Sequence, residues 1–260
     1  VLALYRAGVR RRAERRQRAL AATPAFPALI GELVEALEPR AIAVLCSGPS
    51  ARRFRPQEGT LCVATNESWR LCRGLPFLYC LSDTFMVRRY VTLGMPVGPE
   101  ATLFWAHPID ADRPEHVAAA EFAAYHRRLR RSWPEAMAFP EPLVRGAAEN
   151  DAALASWIST RLGMGPRLMN SGLVALQLGY CVASWAGGLP LHLFGLDLGD
   201  GAMEYFDGRR LHRSQGSIVS ARVRNRAARL VTALSERGDL DFHDHTCFDV
   251  RSALIAEPEP

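Results

Sequence analysis

Apolar positions along this chain fall into two kinds of run. The unbroken kind comprises AIAVLC (Ala41 to Cys46), TLCVAT (Thr60 to Thr65), PFLYCLS (Pro76 to Ser82), ATLFWA (Ala101 to Ala106) and LPLHLFGLD (Leu189 to Asp197). These runs are as short and apolar as strands buried on both faces. The periodic kind repeats every three or four residues. Leu29, Ile30, Leu33, Val34 and Leu37 mark an amphipathic helix that starts after Pro27, packs on the core and ends at Pro39; Ala118, Phe122, Tyr125 and Leu129 mark another. A helix from about Asp151 to Leu162 leads to an apolar helix that Asn170 or Ser171 can cap and that Gly187 and Gly188 close. Val219, Val223, Ala227, Leu230 and Leu234 share the face of a last helix, and LDFHDH (Leu240 to His245) reads as the closing strand. This alternation predicts an α/β fold: a Rossmann-like, mainly parallel sheet with helices on both faces. Residues 27–260 are expected to form one domain after a basic segment, residues 1–26.

Composition narrows the picture without changing it. A chain of 260 residues with 48% hydrophobic content can bury one sizeable core, and no stretch reads as a linker. The basic residues are all arginines, and much of the net charge of +5 sits at Arg6, Arg10, Arg11, Arg12, Arg15, Arg16 and Arg18. Only Tyr5 is interleaved with them, which is not the basic-aromatic footprint of a nucleic-acid reader, so no nucleic-acid partner is expected. Residues 1–20 either lie on an anionic membrane surface or form a solvated helix or tail. Cys46, Cys62, Cys72, Cys80, Cys181 and Cys247 contain no CxxC pair and read as buried free thiols of a reducing cytosol. No apolar stretch reaches the roughly 18 residues that span a bilayer. The expected location is therefore cytoplasmic, with the inner membrane as a peripheral site, and a homo-oligomer is compatible with the sequence.

Polar residues gather where strands end, and in an open parallel sheet those ends form one ligand-binding rim. After the first strand comes CSGPS: Gly48 and Pro49 force a tight turn that would present backbone N–H groups and the Ser47 and Ser50 hydroxyls to a phosphate or ribose. Neither GxGxxG nor GxxxxGK[ST] is present, which argues against the usual dinucleotide and P-loop sites. Asn66 follows the second strand, Ser82 and Asp83 the third, and His107 the fourth; each is a ligand contact or a cap or turn residue. Past the fifth strand lies GLDLGDGAMEYFDGRRLH (Gly195 to His212), glycine-rich, acidic and irregular, which reads as an active-site lid loop. In it His212 is a candidate general base and Tyr205 a donor to a leaving phosphate, while Arg209, Arg210 and Arg213 suit an anion. Asp197 either lines the site or braces the loop. His243, His245 and Cys247 form an HxHxC pattern, but no fourth ligand is evident and the spacing fits no standard zinc site, so no metal is assigned. Together these residues point to a phosphate-bearing nucleotide as ligand.

Taken in order, five segments between about residues 41 and 255 resemble motifs of the bacterial lipooligosaccharide sialyltransferases, which use CMP-sialic acid. CSGPSARRF resembles their GNGPS motif, VATN their second strand-end motif, NSG their TSG motif, FGLDLGDGAMEYF their SGIDFY loop with a later tyrosine, and LHRS the stretch with their catalytic histidine. The resemblance implies that Ser47, Asn66, Asn170, Ser171 and Gly172 line a CMP-sugar site, that Tyr205 assists the departing phosphate and that His212 takes the acceptor proton. The transfer would be inverting and metal-independent, with no cofactor beyond the CMP-sugar donor and a glycan as acceptor. Two positions depart from the pattern: Ser47 replaces an asparagine, and Gly199 replaces the first of two tyrosines. Residues 85–168 match nothing in the family. The GPS turn also resembles archaeal-type pterin diphosphokinases, in which Asp83 would handle magnesium for an ATP-dependent transfer. A non-catalytic nucleotide-binding module is the third reading.

Overall fold

The computed structural model describes residues 31, 34–81, 101–105, 171–200, 204–210 and 220–255, with residues 81, 101–105 and 255 described by backbone alone. The basic segment, the expected helices at 118–129 and 151–162, and Asp83, His107, Asn170, His212, Arg213 and Val219 lie outside these residues. The chain forms two compact units, Val1–Glu32 with Tyr79–Pro166 and Leu33–Leu78 with Arg167–Pro260.

The second unit holds a sheet of β1 (Ala41–Leu45), β2 (Thr60–Thr65), the start of β3 (Phe77–Leu81), β5 (Leu191–Phe194) and β6 (Phe242–Asp244), in the order β3-β2-β1-β5-β6. In the first unit β4 (Ala101–Trp105) lies beside the remainder of β3. Pairing is parallel, with Val44 opposite Val63 of β2 and Leu193 of β5, and Leu193 opposite Asp244 of β6. The chain is thus an α/β protein built on a parallel sheet. The unbroken apolar runs have the physical reason assigned to them: Ile42, Val44 and Leu45 of β1 and every residue of β2 are buried, so both faces are covered. The chain leaves the second unit partway along β3. A boundary inside a strand leaves no linker to be seen.

Helix α1 (Ser171–Trp185) packs on β1, β2 and β5 and is buried on all sides from Leu173 to Ala183. Gly179 permits that approach, because a Cβ there would overlap Val44 Cγ2. Gln177 is a polar side chain in that buried stretch, and its Nε2 donates to the Leu173 carbonyl at 2.8 Å. Helix α2 (Ala221–Ser235) is capped by Ser220 and buries Val223, Ala227, Leu230 and Leu234, as the spacing predicts. It packs on α3 (Val250–Ile255), which the periodicity did not reveal. The links from β1 to β2 and from β2 to β3 are 3-10 turns, Pro49–Arg53 and Asn66–Leu71. One expectation differs. Leu37, expected on the core, is 36% exposed.

Candidate functional site

The chain runs outward from β1 through β2 to β3 and later returns on the other side of β1 as β5, so the strand order reverses between β1 and β5. In open parallel sheets such a point is where a crevice for ligands commonly lies. Here the CSGPS turn follows β1 and the GLD segment follows β5. They are hydrogen-bonded together: Cys46 N–H donates to the Phe194 carbonyl at 2.8 Å, and Gly48 N–H to the Gly195 carbonyl at 2.8 Å.

Asp197 stands at the centre of this contact. It is 1% exposed, and its Oδ2 accepts the Ser50 N–H at 2.8 Å while its Oδ1 accepts the Cys247 N–H, beyond β6, at 2.7 Å. One carboxylate therefore ties the ends of three strands. The Ser50 hydroxyl completes the joint by accepting the Gly195 N–H at 2.8 Å. Gly48 has to be glycine, since a Cβ would overlap the Asp197 carboxylate and the Gly195 carbonyl, and Gly195 has φ +75°. Burial, and then the Asp197 charge, push the Cys46 thiol far up, so it stays protonated and inert. Of the two readings of Asp197, the geometry realises the brace. The turn's donors are also more committed than its sequence suggests: the Gly48 and Ser50 N–H groups and the Ser50 hydroxyl point into the protein, and Pro49 has no N–H. The Ser47 hydroxyl is different, being buried with no hydrogen-bond partner among the described residues.

Residues 204–210 fold into a tight hairpin that docks on this turn. Glu204 bridges Arg210, Tyr205 N–H donates to the Arg209 carbonyl at 2.7 Å, and the Arg209 guanidinium lies 5.5 Å from the centre of the Tyr205 ring. Burial opposes ionisation of Asp207, but hydrogen bonds and charge from Arg209 outweigh it and hold the carboxyl below the usual range. Docking comes from two sides. Phe206 N–H donates to the Ser47 carbonyl at 2.9 Å, and Arg52 donates to the carbonyls of Phe206 at 2.6 Å and Tyr205 at 3.2 Å and pairs with Glu204 at 2.7 Å. The structure thus joins the Ser47 turn to the hairpin that carries Tyr205, through the Phe206 backbone and Arg52. Arg52 is the contributor that the sequence reading missed. Its only signal was an arginine two residues past the serine of CSGPSARRF.

Asn66, Ser171 and Gly172 lie at the same edge. Asn66 follows β2 with φ +48°, a left-handed conformation that asparagine tolerates better than most residues. The neighbouring Ser68 hydroxyl accepts the Thr65 N–H at 3.0 Å and donates to the Leu45 carbonyl at 2.5 Å, which links the end of β2 to the end of β1. Glu67, also unforeseen, is buried there and pairs with Arg70 at 3.1 Å. Ser171 and Gly172 open α1, and the short 186–190 connection turns that helix antiparallel to β5, so its first turn lies at the strands' carboxyl edge. Gly199 has φ +89°, a conformation a tyrosine would not hold without strain. Arg224 fastens this loop by donating to the Leu198 carbonyl at 2.7 Å and pairing with Asp200 at 2.8 Å.

Among the described residues no group of three His, Cys, Asp or Glu side chains is placed to hold a metal ion, and no helix is long and apolar enough to cross a membrane. No family model, curated protein or solved structure matches the chain.

Proposed function

We propose that this chain is an inverting glycosyltransferase that moves sialic acid, Kdo or a related sugar from a CMP donor to a surface-glycan acceptor without a metal. The observation that carries the reading is the docking of the Tyr205 hairpin on the Ser47 turn where the strand order reverses between β1 and β5. On a Rossmann-like sheet that crevice receives a nucleotide phosphate. The Ser47 hydroxyl, buried and without a protein partner among the described residues, is the donor assigned to the phosphate. Tyr205 and Arg209, stacked on one another at 5.5 Å, stand in for a cation as the phosphate departs. Asn66, Ser171 and Gly172 complete the donor site, with Asn170 beside them in sequence. The segment 195–212 serves as the lid and brings His212 to the acceptor hydroxyl as general base. The proposed setting is the cytoplasmic side of the inner membrane, with residues 1–20 on anionic lipid.

A transfer assay with CMP-sialic acid and CMP-Kdo tests the chemistry. His212→Ala should lower turnover roughly 100-fold or more while donor affinity is kept. Full activity in that variant would remove His212 from the mechanism. Turnover that appears only with ATP and magnesium would replace the glycosyltransferase by the diphosphokinase, with Asp83 as the residue to change next. Donor binding with no turnover for any sugar would identify a non-catalytic module.

A further inference from the structure

His243 and His245 of the HxHxC pattern, which the proposed transfer does not use, join His192 in an imidazole cluster. In the parallel register His192 of β5 stands opposite His243 of β6, and the rings stack with centroids 4.6 Å apart and planes 11° apart. One step further along, Phe194 and His245 stack at 4.4 Å and 8°. The diagonal pair is joined head to head: His192 Nδ1 lies 3.1 Å from His245 Nε2, with the ring planes 16° apart. Their centroid separation of 5.4 Å is about the N···N distance plus two ring radii, so both nitrogens lie near the line joining the rings. That is a straight N–H···N hydrogen bond. It needs one hydrogen between the two nitrogens. The neutral pair supplies it, and so does the pair after gaining one proton, because the added proton sits on an outer nitrogen. A second proton puts N–H groups on both facing atoms, and the contact must open.

The contact is anchored to the strand-end joint. His245 N–H donates to the Leu193 carbonyl at 2.9 Å, Arg53 of the first 3-10 turn donates to the His245 carbonyl at 3.1 Å, and two residues on, Cys247 N–H donates to Asp197 at 2.7 Å. Among the described residues, the charges that act on the pair are few. Arg53 acts on His245 from the 3-10 turn, Asp244 acts on His245 from β6, and Asp241, which holds His243 Nε2 at 2.9 Å, acts on His192. β1 presents Ala43 opposite His192, and none of the charges acting on the pair comes from α2, which also packs against β6. Burial, then the neighbouring imidazoles, lower the basicity of His192; burial, then His243, lower that of His245, with Arg53 adding to the effect.

We propose that His192, His243 and His245 form a proton-operated latch that holds the carboxyl end of β6 to β5 while the His192–His245 pair carries at most one added proton, and that the second proton opens it and loosens the Asp197 joint. The latch acts on the joint whatever ligand the crevice takes. Nitrogen-resolved NMR of the imidazoles in the full chain, followed from pH 8 to pH 5 with the Cys247 amide as reporter, tests it. The expected result is that His192 and His245 take up protons in two coupled steps below the ordinary histidine value of about 6.5. The Cys247 amide should shift with the second step, and in His192→Gln it should stay flat over that range. Independent titration of the two histidines near that ordinary value, or a Cys247 amide that is flat in the unaltered protein, would overturn the latch.

Discussion

Asp197 holds three strand ends with two oxygens, and removing its charge should cost stability. Asp197→Asn keeps the shape but turns an NH2 group toward a backbone N–H, leaving one buried donor unsatisfied and another facing a weaker acceptor. The expected loss is about 3 kcal/mol of unfolding free energy by urea denaturation at neutral pH. A loss below about 0.5 kcal/mol, the range of an ordinary surface substitution, would mean that Asp197 is not a brace. At this scale the sequence was legible in residue type and opaque in direction. A serine, a glycine and an aspartate at strand ends are the right chemistry for a phosphate site. Whether Ser50 faces a ligand or the Gly195 N–H depends on how two loops from distant parts of the chain meet. No local pattern carries that information, and the same holds for the buried Glu67 and for the guanidinium of Arg52.

Short elements carry the next set of outcomes. The hairpin at 204–210 depends for its docking largely on Arg52, whose guanidinium holds two of its carbonyls and the Glu204 carboxylate. Arg52 is exposed, so Arg52→Ala should change global stability by less than about 1 kcal/mol. Amide exchange of Phe206, whose N–H is bonded to Ser47, should nonetheless rise at least about tenfold, because local opening then costs less than global unfolding. Unchanged exchange at Phe206 would show that the hairpin docks without Arg52. Gly179→Ala tests the seat of α1: the added methyl meets Val44 Cγ2, and a loss of about 2 kcal/mol is expected from overpacking. Helix α2 was legible because apolar periodicity reports burial directly, and α1 because its apolar run lies between a capping residue and the Gly187–Gly188 stop.

For the whole molecule, the parallel sheet was legible in its unbroken apolar runs. The order of strands and the division of the chain into two units were not, since neither is encoded in the spacing of residues within a run. The imidazole cluster gives the protein a pH signature. His192 and His245 are less basic folded than unfolded, so in acid the unfolded chain binds more protons and gains on the folded one. Their contribution is complete above the unfolded value of about 6.5 and is lost as pH falls below it. Thermal unfolding should therefore hold steady from pH 8 to 7 and move to lower temperature between pH 6.5 and 5, with a smaller decline in His192→Gln. A midpoint that climbs over that acid range would show that the cluster favours its protonated form.

The central claim is that the crevice between β1 and β5 binds the phosphate of a cytidine nucleotide without a metal. Calorimetric titration with CMP, CDP, ATP and GTP, each with and without magnesium, tests it most directly. The account predicts that CMP binds best, that magnesium makes no difference, and that Ser47→Ala weakens CMP by about 1 kcal/mol, the worth of one hydrogen bond. ATP binding that requires magnesium, with CMP ignored, would contradict it.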